Sequence, residues 1–180
     1  MLIHPNLAAR MISQHDRVLR DPSHSRLIWA SVIVAYFLTL LPWGGWALII
    51  EPNWLLIVLI HWWLREPWRV GQSAGFFGGL MVDIAQTGIL GVSALSFSIA
   101  GWLTIKFRTR MLAFSPVAQT PQILPILFGT RLICVLTEWL CQGGTPNWWV
   151  LIGCASDFAV WIPVTLLLHQ QDLRRSHSSP

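Results

Sequence analysis

The chain has 180 residues, 54% of them hydrophobic and only 11% charged, and its mean hydropathy is +0.55. A soluble domain carries about 25% charge, so the balance excludes an ordinary soluble fold and predicts one integral membrane domain with no room for a large soluble one. The net charge of +4 lies in residues that flank apolar runs, not in a basic–aromatic module, which sets nucleic-acid binding aside.

Residues 1–26 form a basic cytoplasmic tail carrying Arg10, Arg17, Arg20 and Arg26. Leu7, Met11, Val18 and Leu19 fall near one helical face, which suits a surface helix ended by Asp21-Pro22 and drawn to anionic lipid heads. A disordered tail that only enforces orientation is the equal alternative. No short apolar core precedes a small-residue cleavage site, so no cleaved signal is expected and the run from Leu27 reads as an uncleaved anchor. His4, His15 and His24 lack metal-ligand spacing.

Apolar runs follow at Leu27–Leu41, Trp54–Leu64, Val70–Thr87, Gly91–Ile105, Ile123–Leu140 and Trp148–His169. A spanning helix needs roughly 20 residues. The last two runs satisfy this; the first two draw extra turns from the Pro42–Pro52 stretch between them. Arg65 and Arg69 separate the second and third runs, Lys106, Arg108 and Arg110 the fourth and fifth, and Arg174 and Arg175 follow the sixth. The other connections carry no Lys or Arg. Positive charge gathers on the cytoplasmic side, so the fold predicted is all-α, with six transmembrane helices over 27–169, both termini cytoplasmic, and a cytoplasmic tail at 170–180. The outer connections, Pro42-Trp43-Gly44-Gly45, Gly88-Ile89-Leu90-Gly91 and Gly143-Gly144-Thr145-Pro146-Asn147, are short and built of turn formers. The 12 Trp against 1 Tyr point to the membrane boundary.

Gly71, Gly75 and Gly79 recur every four residues, and Asp83 is the next position on that ridge. The ridge offers a close-packing face ending in an acid. An acid inside a bilayer costs several kcal/mol unless something answers it. Arg131, Glu138 and Asp157 also lie within predicted helices, and with Asp83 they form the candidate intramembrane charge network. Counting about 1.5 Å per residue, Asp83, Arg131 and Asp157 can share a depth, with Glu138 nearer the outer surface. Arg131 is therefore expected to pair with Asp83 or Asp157, and is the first choice to answer Asp83. The bland reading of each acid is a protonated group bonded to a neighbouring backbone. Gly91, Ala94, Ser98 and Gly101 form a small-residue strip on the fourth helix, and Gly153, Ser156 and Ala159 begin one on the sixth. Packing within the bundle is the default meaning of such strips; contact with a partner helix is the sharper one. Cys134, Cys141 and Cys154 show no ligand or disulfide spacing and read as small apolar residues.

One stretch resembles the rod shape-determining protein MreD family. It runs from Pro52-Asn53-Trp54 through Trp62-Trp63, Arg65-Glu66-Pro67-Trp68-Arg69-Val70-Gly71, the glycine-rich helix with Asp83, the Gly88–Gly91 turn and Val92-Ser93-Ala94-Leu95. The specific likeness covers roughly residues 42–105; length and helix count match over the whole chain. Pro52, Pro67, Arg69, Gly71, Gly79, Asp83, Gly88 and Gly91 match the family-like segment, whereas Arg131, Glu138 and Asp157 map onto no family motif. The resemblance implies an inner-membrane component of the bacterial elongation machinery that binds MreC and helps to organise lateral peptidoglycan synthesis. Through MreC it implies association with MreB, RodA and the class-B penicillin-binding protein. It implies no enzymatic activity and no cofactor, and a fold similar to the six-helix substrate-binding subunits of vitamin transporters. Gly71, Gly75, Gly79, Asp83, Gly88 and Gly91 are then the candidates for helix packing or for contact with a partner or another copy.

Two other functions fit the residues less well. A transporter subunit would hold a small ligand at mid-depth, but the outer loops are short for a lid. An intramembrane hydrolase would use Asp83 and Asp157 as a dyad sharing one proton, and a guanidinium beside either acid works against that.

Overall fold

In a computed structural model that describes residues 22–41, 44, 51–86, 89–114, 119–142, 145 and 148–176, the chain is all-helical. Its elements are α1 (Pro22–Thr39), α2 (Trp54–Arg65), α3 (Pro67–Val70), α4 (Ser73–Ala85), α5 (Val92–Leu112), α6 (Thr120–Gln142), a 3-10 turn at Trp148–Ile152, and α7 (Gly153–Ser176). No strand occurs among the described residues. The surface helix expected within residues 1–21, and Gly88, lie outside them.

Two stretches, Thr120–Cys141 and Trp148–Leu168, are long and apolar enough to cross a membrane; Ser25–Thr39, Trp54–Arg65 and Ser73–Ala85 are apolar but shorter. The third predicted run is not one helix. Pro67 opens the single turn of α3, and Gly71 then takes φ 61° before α4 begins at Ser73. Proline is preorganised for a helix start and glycine tolerates the left-handed region, so the chain bends where those two residues stand. Gly71 therefore belongs to the turn, and the ridge on α4 starts at Gly75.

The centre is α2. Every residue from Leu55 to Leu64 is buried, as expected of a helix apolar on all sides. It touches α1, α4, α5 and α7. Trp62 and Trp63, together with Trp161 of α7, are fully buried, so these three indoles are internal knobs and not boundary residues. The indole of Trp62 donates to Ser31 Oγ on α1 at 2.8 Å, and that of Trp63 to the Gly71 carbonyl at 2.8 Å. The outer residues are strongly apolar: Trp29, Ile33, Val34 and Phe37 of α1, and Phe76, Phe77, Met81 and Ile84 of α4, are all exposed. An exposed apolar surface of this extent belongs against lipid or another helix.

Candidate functional site: buried charges at helix ends

The glycine ridge positions Asp83. A Cβ added at Gly79 would lie 2.5 Å from the Ser93 carbonyl carbon and oxygen and 2.6 Å from Ala94 Cα; one at Gly75 would lie 2.9 Å from the Phe97 carbonyl oxygen and 3.0 Å from the Trp63 ring. Backbone-to-backbone packing of α4 on α5 is thus possible only because these positions lack side chains. Gly101 of α5 meets the same Trp63 ring at 3.0 Å, so Trp63 fills a notch made by two glycines. Gly75 and Gly79 are spent on contacts within the chain. They are not available to a partner helix.

Asp83 is buried, and its carboxylate turns to the start of α5. Oδ2 accepts from Gly91 N–H at 2.8 Å and Ala94 N–H at 3.3 Å, and Oδ1 from Ser93 N–H at 3.0 Å. Gly91 is the N-cap, with φ 101°, and has no side chain with which to cap. Asp83 supplies that cap from the preceding helix, answering three amides of the kind left without partners at a helix start. Negative charge there also complements the helix dipole. This corrects the expected partner: backbone amides, not Arg131, bind Asp83.

Arg131 forks onto Asp157 instead. Its Nε lies 2.9 Å from Oδ2 and its Nη2 3.0 Å from Oδ1. The same Nη2 donates to the Glu51 carbonyl at 2.6 Å, and Asp157 Oδ1 also accepts from Asn53 N–H at 2.7 Å. Asn53 is the N-cap residue of α2. The ion pair thus joins α6, α7 and the residues that lead into α2. Asp157 is fully buried and Arg131 nearly so. The guanidinium lies over Gly153, where a Cβ would come within 2.6 Å of Nη1 and 2.8 Å of Cζ, so a side chain there would push the guanidinium out of this position. Ser156 donates to the Gly153 carbonyl at 2.7 Å, while Ala159 is exposed.

Glu138 is exposed on the last turns of α6 and takes no part in either cluster. Sequence reasoning missed two participants. Arg108 of α5, counted only as a cytoplasmic charge, donates from Nε to the Leu64 carbonyl at 2.6 Å and from Nη2 to that of Arg65 at 3.3 Å. It thereby answers the carbonyl end of α2, where a cation is favoured. Asn53 contributes a backbone donor that no motif flags. The four groups share one chemistry: Asp83 holds the start of α5, Asp157 the start of α2, Arg108 the end of α2, and Arg131 fixes Asp157. Each carboxylate is bonded to its own donors, and none of these bonds joins Asp83 to Asp157. No group of three His, Cys, Asp or Glu side chains among the described residues could hold a metal ion.

A family model described as rod shape-determining protein MreD matches residues 23–171. The chain is also 28% identical over 138 residues to "Rod shape-determining protein MreD" of Haemophilus influenzae, covering 77% of this chain and 85% of that protein. No solved structure matches it.

Proposed function

The chain belongs to the rod shape-determining MreD family, and from that membership we propose that it is a non-enzymatic, multi-pass scaffold of the inner membrane. In this reading it crosses the membrane six times with both ends in the cytoplasm, binds MreC, and helps to organise lateral peptidoglycan synthesis with MreB, RodA and the class-B penicillin-binding protein. The observation that supports it best is the use made of the charges. Asp83, Arg108, Arg131 and Asp157 are all bound to helix ends or to each other. None is left as a nucleophile, general base or substrate ligand, and the Trp62–Trp63 pair occupies the centre where a transported ligand would sit. What the molecule presents outward is rigid, apolar helix surface, which is the property a membrane scaffold needs.

Gly75 and Gly79 face inward, so the partner contact proposed is with the outward residues of α1 and α4. Photocrosslinking amino acids at Phe37, Phe77, Met81 and Ile84, in living cells, should capture MreC from at least one of these positions. Cells lacking the protein should lose their rod shape and regain it with the crosslinkable variants. Shape rescue with no MreC adduct from any outward position of α1 or α4 would remove the proposed contact. Rod shape in cells without the protein would remove the functional reading itself.

A further inference from the structure

Between α5 and α6 lies a groove of about 380 Å³, walled by Leu103, Phe107 and Met111 of α5 and by Pro125 and Ile126 of α6, with the exposed Arg110 completing its lining. Pro125 stands inside α6. A proline there has no N–H to donate and its ring crowds the preceding turn. A volume of this size is within the range of ligand sites.

Two features say what kind of ligand the groove would take. Arg110 enters no ion pair with another described residue, so it presents a positive charge at a trough that is apolar apart from Gln122. One turn before it on the same helix row, Lys106 Nζ lies 4.4 Å from the centre of the Trp102 ring, and both side chains are exposed. A tryptophan with a lysine folded over it marks the level where hydrocarbon gives way to head groups. Four residues of rise, about 6 Å, carry Arg110 beyond that level, while Leu103 and Ile126 remain on the apolar side. We propose that this groove is a binding site for an anionic phospholipid of the surrounding leaflet, its acyl chain lying against Leu103 and Ile126 and its phosphate on Arg110. Another groove, beside Arg69, differs in charge: Arg69 is paired with Glu66 at 2.8 Å, which offsets the attraction for a phosphate.

The test uses the full chain in nanodiscs of equal phosphatidylglycerol and phosphatidylcholine, with bound lipid counted by native mass spectrometry. A basic side chain at a membrane surface is worth about fivefold in affinity for anionic lipid. The protein should retain phosphatidylglycerol over phosphatidylcholine by about that factor. Arg110→Gln should abolish the preference, Arg69→Gln should keep it, and Ile126→Trp, which fills the groove, should lower retention of both lipids. Equal retention of the two lipids by the unaltered protein overturns the proposal. So does an undiminished preference in Arg110→Gln, a change at an exposed position that leaves the fold intact. Should Ile126→Trp not fold, the Arg110→Gln result decides alone.

Discussion

Replacing Asp83 tests the account of the α4–α5 hairpin most directly. Asp83→Ala removes the acceptor for three backbone N–H groups. Hydrogen bonds to a charged group contribute about 1.5–3 kcal/mol each, but these three share one carboxylate and do not add. The loss of an N-cap costs about 0.5–2 kcal/mol, and the loss of a favourable charge at a partly buried helix terminus up to about 2 kcal/mol. Gly91 is only half-buried, so water can reach part of the exposed backbone. The net expectation is about 3 kcal/mol. For a chain of this size that corresponds to a Tm lower by about 6–12 °C, read from tryptophan fluorescence of the detergent-purified protein. Asp83→Asn keeps one acceptor oxygen and should lose roughly half as much.

A double-mutant cycle separates this account from a direct Asp83–Arg131 pair. With Asp83 on the α5 amides and Arg131 on Asp157, the effects of Asp83→Asn and Arg131→Gln should add to within about 0.5 kcal/mol. A coupling above about 1 kcal/mol would show that the two side chains meet. A Tm change below about 2 °C for Asp83→Ala would refute the capping role altogether.

Other expectations follow from the same geometry. Arg131→Leu leaves the buried Asp157 without its counter-charge and should cost about 3–5 kcal/mol in the same thermal assay, while Arg131→Met with Asp157→Leu should recover much of the loss. Gly79→Ala drives a methyl into the Ser93 backbone and should abolish folded protein on size-exclusion chromatography, whereas Gly129→Ala, with nothing within 4 Å, should leave Tm unchanged or slightly raised.

Much of the helical frame was legible because it rests on local signals. The long apolar runs, the proline at position 67 and the turn before Val92 each act within a few residues, and the structure places helix boundaries close to them. The pairing of charges was not legible, because depth along a helix does not specify rotation or neighbour. Asp83 and Arg131 can be level and still face different helices. A local signal for the Asp83 answer was nevertheless present: Gly91 opens a helix with no Ser, Thr, Asp or Asn at its cap, and a helix start without a cap in an apolar setting demands an acceptor from elsewhere. Arg108 left no such trace. It stands 44 residues from Leu64, and only the packing of α5 along α2 brings it there. Trp62, Trp63 and Trp161 depart from the expectation for tryptophan, since boundary preference describes exposed indoles and says nothing of Trp63, which packs against Gly75 and Gly101.

The length of α2 explains why charges stand where they do. Twelve residues rise about 18 Å, well short of a hydrocarbon layer about 30 Å thick. A helix that short, packed among other helices, has its terminal amides and carbonyls partly buried, where side chains can answer them in place of water. At its start that side chain is Asp157, held by Arg131; at its end it is Arg108. Asp157, Arg131 and Arg108 thus answer the two ends of a short central helix. That explains why they coincide with helix ends, and why the surface left for partners is the apolar one.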